Sequence, residues 1–536
     1  MTRAGDLALR RALGLCAAAL LGLLLAGPFV VLLLAQPSSE GLSALAADPY
    51  LRAVALFTLE QAGLSALLSV AGAVPLALAL HRTKLAGRGF MLRLFLMPQA
   101  LPVLVGALAL VSIWGRGGLV SDALAALGLP RLDLYGLPGI LLAHVFFNMP
   151  LATRLMVSAL DAVPAESWKL AAQLGLGPGA VLRTLEWPAI RRALPGAASL
   201  AFLLCVTSFT LVLVLGGGPG ATTLQVAIYQ ALRYDFDPNR AIALSLLQIA
   251  ATALVLALTA RLGGEVAGGF SLGARAGRFE RRSLALRIGD GIVLTLGLAF
   301  VASPFVAVVA LGLSSDLARL LSDPLFHRAA ATSLLLALGA ASLSLALSLA
   351  ILLGVEARRR PGTRARPGAS LPELATGLVL VVPPIVVGAG WFLALRQVTD
   401  VARAAPFLVM AVNAAMAVPF VVRIAGPALA EGNERHRRLA DGLGLAGLAR
   451  LRLVDWPALR RPLALAFAFA LAVSLGDLGA VALFGNQDFV TLPTLLFQRM
   501  GSYRTDDAQG LALLLGLLCL ALVALAERGL SGKAPR

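Results

Sequence analysis

Along this chain, stretches of 19–27 mostly apolar residues alternate with short segments rich in Gly, Pro and basic side chains. Twelve such stretches stand out, at 12–35, 54–80, 91–114, 137–160, 196–216, 239–261, 288–313, 329–355, 371–396, 404–427, 464–485 and 508–526. A helix of ~20 apolar residues crosses the hydrocarbon core of a bilayer. In lipid each backbone must satisfy its own hydrogen bonds, so every stretch is predicted to be a transmembrane helix. Gly and Pro within them, as in VPPIVVGAG (382–390), are tolerated where neighbouring helices take up the freed groups. The first run follows Arg3, Arg10 and Arg11 and ends without a small-x-small cleavage pattern. It is expected to be a retained membrane helix and not a signal peptide.

Composition agrees with the pattern. Hydrophobic residues make up 59% of the 536 positions and charged ones 14%, which excludes an ordinary soluble domain. A net charge of +17 would suit a nucleic-acid binder, but the basic residues lie in breaks between apolar runs. With the N-terminus placed in the cytoplasm, the tails and the loops after even-numbered helices hold 34 Lys and Arg, and the opposite loops hold 11. That bias predicts cytoplasmic termini. Cys16, Cys205 and Cys519 fall inside apolar runs and read as small apolar side chains.

The chain also repeats itself. KLAAQLGLGPGAVLRTLEWPAIRRAL (169–194) and RLADGLGLAGLARLRLVDWPALRRPL (438–463) share 14 of 26 positions at an offset of 269 residues. At the same offset NMPLATRLMVSAL (148–160) faces AVPFVVRIAGPAL (417–429), and further on TLQVAIYQ (223–230) resembles TLPTLLFQ (491–498). Residues 1–262 and 288–536 therefore read as two halves of six helices each, joined by the Gly-rich basic linker 263–287. Six is even, so the repeats are parallel, and both copied loops, 164–194 and 433–463, fall on the cytoplasmic side. In the first copy Leu170, Ala171 and Leu174 share a helical face; Leu439, Ala440 and Leu443 do so in the second. Gly175 and Gly444 then interrupt the helix with a left-handed turn or a close approach. A second helical piece is expected to stop before Trp187-Pro188 and Trp456-Pro457, because a residue preceding Pro is pushed out of the α region. Such a loop seeks either lipid headgroups or a groove on a partner protein. Two matched copies favour two equivalent partner sites.

The loop resembles the EAA loop of ABC-importer permeases, whose pattern is E-A-A-x3-G-x9-I-x-L-P. Ala171, Gly175, Leu185 and Pro188 match it in the first copy, and Ala440, Gly444, Val454 and Pro457 in the second, Leu185 and Val454 standing in for Ile. Lys169 and Arg438 replace the leading Glu, Leu170 and Leu439 the first Ala, and Trp187 and Trp456 the Leu before Pro. YGLPGILLAHVFFNMPLATRL (135–155), LGGGPGATTLQVAIYQAL (215–232), SLGDLGAVALFGNQDFVTLP (474–493) and GSYRTDD (501–507) resemble the thiamine-transporting branch of that family. Iron(III) importer permeases share the fused two-half plan and are the nearest alternative. The resemblance implies an all-α type I importer fold in a bacterial inner membrane. It implies two ATPase subunits, each docked on one loop, that carry the ATP and Mg. It also implies a periplasmic binding protein that delivers substrate, and no cofactor on this chain. A twelve-helix secondary transporter would not need the copied loops.

Remaining signals are weaker. GLGLAG (442–447) fits a dinucleotide-binding pattern but follows a helix and not a strand. GGGPGATT (216–223) lacks the Gly-Lys-Ser/Thr of a phosphate loop, so the chain is not expected to hydrolyse ATP. No His pair has metal-ligand spacing, His144 stands alone, and no catalytic cluster marks a membrane enzyme. Glu60 and Gln61 are placed near the outer end of the second helix, where a charge costs little. Asp477 lies within the apolar run Leu471–Phe484, where a carboxylate costs about 3 kcal/mol. It either caps a broken helix near Gly476 and Gly479 or lines the path of a cationic substrate, such as the thiazolium of thiamine. Its counterpart in the first half is Ser208. Phe146, Phe147, Phe209 and Trp391 could stack on such a ring or serve only in packing.

Overall fold

In a computed structural model, the structure describes residues 3–34, 48–83, 87–216, 218–261, 283–358, 371–396, 398–485 and 489–530. Every regular element among them is helical. Among the described residues, eleven helices are long and apolar enough to cross a membrane, and the pair Leu371–Val379 and Pro384–Leu395, bent by 96°, makes a twelfth if it is one span. Most of the expected linker and much of the basic loop at 356–368 lie outside the described residues.

The third span is displaced from the predicted 91–114. Pro98 and Pro102 each lack an N–H, and the chain there breaks into the short helices Arg88–Leu94 and Met97–Ala100 before Val103–Trp114. The stretch long enough to cross is Val103–Ala126. The predicted spans 196–216 and 464–485 are also interrupted. Trp187–Val206 stops, and Thr210–Leu215 restarts after Ser208. Trp456–Leu475 stops, and Gly479–Phe484 restarts after Asp477. These boundaries recur at the 269-residue offset of the sequence repeat, so the duplication extends to where helices break.

The chain forms two compact units. One holds Ala46–Ala227 and Ala250–Leu313. Its core joins Leu76 and Leu80 to Phe95, Met156, Leu160, Ile190 and Val301, all buried. Helix Leu284–Ser314, which leads the second sequence half, packs here: a Cβ on Gly297 would come within 2.6 Å of the Leu76 side chain. The other unit holds Met1–Leu45, Ile228–Ile249 and Ser314–Arg536. It contains Arg3–Leu34, the first helix of the chain, which lies backbone to backbone with Pro324–Glu356. A Cβ on Gly14 would sit 2.8 Å from Gly354 Cα, the close approach that small residues allow between membrane helices. Trp391 Nε1 donates to Leu24 O at 2.9 Å, and Arg11 Nη2 to Ala357 O at 3.0 Å.

Candidate coupling loops and the intramembrane acid

The first copied loop begins with helix Ala165–Gln173. Pro164, in extended backbone, separates it from the long helix Leu137–Asp161. The second copy has Asn433 at that offset, and its helix runs unbroken from Val401 to Gly442. Both then turn through a left-handed glycine, Gly175 at φ +65° and Gly444 at φ +62°. Leu176 N–H donates to Ala171 O at 3.0 Å, and Leu445 N–H to Ala440 O at 2.9 Å, which closes the helix end. A Cβ built on either glycine meets nothing within 4 Å. Backbone conformation, and not close approach, is therefore what glycine supplies.

The expected stop before Trp-Pro is corrected. Leu182–Glu186 and Leu451–Asp455 are π-helical turns that lead directly into Trp187–Val206 and Trp456–Leu475. Trp187 and Trp456 keep helical backbone at φ −63°, ψ −44°. Proline has no N–H to contribute, and the wider π turn relieves the clash its ring would make one turn back.

The shared apolar face also divides. Ala171 is buried with Trp168 and Val181, and Leu176 and Leu185 pack on that cluster. Leu170, Leu174 and Trp187 are exposed at 55%, 66% and 44%. In the second copy Ala440 is buried, while Leu439, Leu443 and Trp456 are exposed at 63%, 65% and 52%. Successive helix positions point about 100° apart, so Leu170 and Ala171 cannot share one direction. Leu439, Ala440, Leu443, Val454 and Pro457 line a single pocket of about 560 Å³ with Glu431 and Arg435. Lys169, Arg183 and Arg452 are exposed; the Arg438 side chain lies outside the described residues. Each loop thus offers leucines and basic groups on its surface.

Sequence reasoning missed two acids. Glu186 and Asp455, at equivalent offsets, are buried immediately before each Trp-Pro. Arg82 Nε donates to Glu186 Oε1 at 2.9 Å, and Arg82 Nη1 lies 3.9 Å from Asp290 Oδ1. Arg10 Nη1 lies 2.8 Å from Asp455 Oδ2, and Arg10 Nε donates to Asp6 Oδ1 at 3.1 Å. In each unit an arginine, Arg10 buried and Arg82 half-buried, therefore stands between the acid of its loop and an acid on the first helix of the other sequence half. The matched acids were visible in the repeat; their partners lie too far along the chain for any spacing to show them.

Asp477 sits in the break before Gly479–Phe484. Its Oδ1 accepts from Gly479 N–H at 3.0 Å and its Oδ2 from Ala480 N–H at 3.2 Å. Asn413 Nδ2 donates to Ser474 Oγ at 3.1 Å beside it. Ser208 holds the equivalent break and is half-buried. Gln61, expected near a helix end, is fully buried and donates to Cys205 O at 3.1 Å. Glu60 is exposed. His144 Nδ1 is 2.9 Å from Ser65 Oγ. Phe146 and Phe147 stack edge to face with centroids 5.0 Å apart, and Phe209 is buried.

Against known proteins, residues 69–267 match the family described as "Binding-protein-dependent transport system inner membrane component". The chain is 51% identical over 512 residues to the thiamine transport system permease protein ThiP of Brucella abortus (strain 2308), covering 95% of this chain and 93% of that one. The protein of that name from Salmonella typhimurium is 42% identical over 517 residues, 96% of each chain. That from Escherichia coli (strain K12) is 42% identical over 482 residues, covering 90% of this chain and 89% of its own.

Proposed function

The chain belongs to the family of thiamine transport permeases, and from that membership we propose that it is the membrane-spanning subunit of an ATP-driven importer carrying thiamine across the bacterial inner membrane by alternating access. Similarity to thiamine permeases over nearly the whole chain carries the reading, and it favours thiamine over iron(III). This subunit is a transport component and not an enzyme. ATP and Mg belong to a separate ATPase, and a binding protein delivers substrate from the outer side. Two ATPase copies follow from two loops with exposed leucines and basic residues, a surface that suits an acidic cleft with an apolar floor. The excess of Lys and Arg in the tails and loop-bearing segments supports cytoplasmic termini.

Proteoliposomes holding this chain and its ATPase are expected to accumulate thiamine only with ATP on the loop side and binding protein on the other. Uptake without ATP would identify a secondary transporter instead. Reporter fusions after Arg183 and Arg450 are expected in the cytoplasm, and after Gly128 and Asp316 outside; the reverse would invert the docking side.

The glycine turns give a further expectation. Left-handed backbone costs a residue with a Cβ about 1–2 kcal/mol, and the space around Gly175 and Gly444 is otherwise open. Gly175→Val is expected to weaken copurification of the ATPase about tenfold, with near-normal membrane levels. Asn, which enters this region readily, is expected to be tolerated. The Gly175→Val/Gly444→Val double variant is expected to lose the ATPase; full retention and full uptake would return the loops to a headgroup role.

A further inference from the structure

Among the described residues, the non-glycine positions with left-handed backbone are Phe236 at φ +53° and Tyr503 at φ +57°. Both are aromatic, and both are among the most exposed large side chains, at 80% and 91%. They also occupy matched places. Each follows a ten-residue helix, Leu224–Arg233 or Leu492–Gly501, and stands two residues before the next long helix, at Pro238 or Thr505. The first N–H of each short helix is held alike: Leu224 N–H donates to Thr58 Oγ1 at 3.0 Å, and Leu492 N–H to Ser333 Oγ at 2.8 Å.

An aromatic side chain avoids this region unless its surroundings impose it. Here they do. Asp237 N–H donates to Ala231 O at 2.8 Å. On the other turn Arg499 pairs with Asp323 at 3.2 Å and Asp507 at 3.6 Å, and Arg319 pairs with Asp507 at 2.7 Å. Two braced turns each hold one large ring out of the protein. One membrane crossing, Pro178–Val206, separates the first coupling loop from the Phe236 turn. The second loop and Tyr503 are separated in the same way by Gly447–Phe484.

We infer that Phe236 and Tyr503 are paired anchors on the outer face that dock the soluble binding protein, with an acidic side chain of that partner entering the pocket beside Phe236. The inference rests on the import reading, which puts a binding protein on this side. The pocket, about 470 Å³, is lined by Arg233, Arg396, Phe236 and Phe392, so two guanidinium groups meet aromatic walls. Exposed aromatics ringed by charge have the anatomy of a binding hot spot. Two such points, one from each repeat, suit a single partner that must bear on both. A lipid-interface role fits less well, because belt aromatics need no left-handed backbone.

The test uses the permease–ATPase complex in nanodiscs with purified, thiamine-loaded binding protein. ATPase stimulation is titrated for the wild type, Phe236→Gly, Tyr503→Gly, the double variant and Arg396→Glu. Glycine adopts positive φ without strain, so the turns persist without their rings. Each glycine variant is expected to raise the half-stimulating concentration about tenfold and the pair about a hundredfold, with basal ATPase unchanged. Arg396→Glu is expected to raise it similarly. Unchanged titrations in both single variants and the double would overturn the inference while leaving the import reading intact. So would a defect present in anionic-lipid nanodiscs and absent in neutral ones, which would assign the rings to lipid. A wild-type complex that the binding protein does not stimulate would instead overturn the import reading, and this inference with it.

Discussion

Glu186→Ala is expected to be the most damaging single change in either loop. It takes the buried carboxylate away from the half-buried Arg82 guanidinium, which Asp290 faces at 3.9 Å. Removing one partner of a fully buried pair typically costs about 3–5 kcal/mol, and the partial exposure of Arg82 places this loss below that range. The π turn at Leu182–Glu186 would lose its tie to the helices beneath it, and with it the direction in which Leu170, Leu174 and Trp187 are presented. Thermal unfolding in detergent should show the loss, and a pulldown should show ATPase copurification falling at least tenfold. Asp455→Ala is expected to be milder, since Arg10 keeps Asp6 at 3.1 Å.

A companion variant separates charge burial from loop placement. Replacing a buried ion pair by apolar residues of similar volume is often neutral for stability. Arg82→Met/Glu186→Met should therefore recover most of the thermal stability lost by Glu186→Ala. If the pair also aims the loop, ATPase copurification should stay low in that stable protein. Full recovery of both would mean the acid matters only as a partner for Arg82. Wild-type stability and docking in Glu186→Ala itself would remove the acid from the account altogether.

The sequence displayed the duplication because residues that make the same turn twice are written twice: Gly175 with Gly444, Trp187-Pro188 with Trp456-Pro457. It displayed the membrane class because lipid demands long apolar runs. Three things were not legible. Averaged apolarity over 91–114 does not register that Pro98 and Pro102 remove two donors within about one turn, so the third span lies later, at Val103–Ala126, than the apolar pattern places it. The rule that a helix ends before Pro assumes regular α geometry, and a π turn is not announced by any residue type. Arg82, Asp290, Arg10 and Asp6 reach the loops only through tertiary packing, and no periodicity connects them to Glu186 and Asp455. Phe236 and Tyr503 were in plain view, but positive φ at an aromatic has no sequence signature.

Asp477→Asn is expected to separate two roles that share one side chain. As a cap, Asp477 accepts the N–H groups of Gly479 and Ala480 and so lets Gly479–Phe484 restart in the middle of a span. Asparagine caps helices about as well as aspartate, so the break and the fold should survive. What Asn cannot supply is charge. Thiamine carries a permanent cation on its thiazolium ring, which has no N–H to donate, and two opposite charges ~4 Å apart attract by about 4 kcal/mol at an intermediate dielectric. If Asp477 meets that cation in transit, Asn should lower thiamine uptake roughly tenfold to a hundredfold, with membrane level and basal ATPase activity held. Ser208, at the matching break, offers no second acid to compensate. Asp477→Ala then reads the cap alone, since it removes both acceptors; it should destabilise by about 1 kcal/mol as well as slow uptake. Normal uptake in Asp477→Asn would leave the carboxylate a cap and nothing more. An Asn protein that failed to reach the membrane would show that both acceptor oxygens are needed to restart the helix.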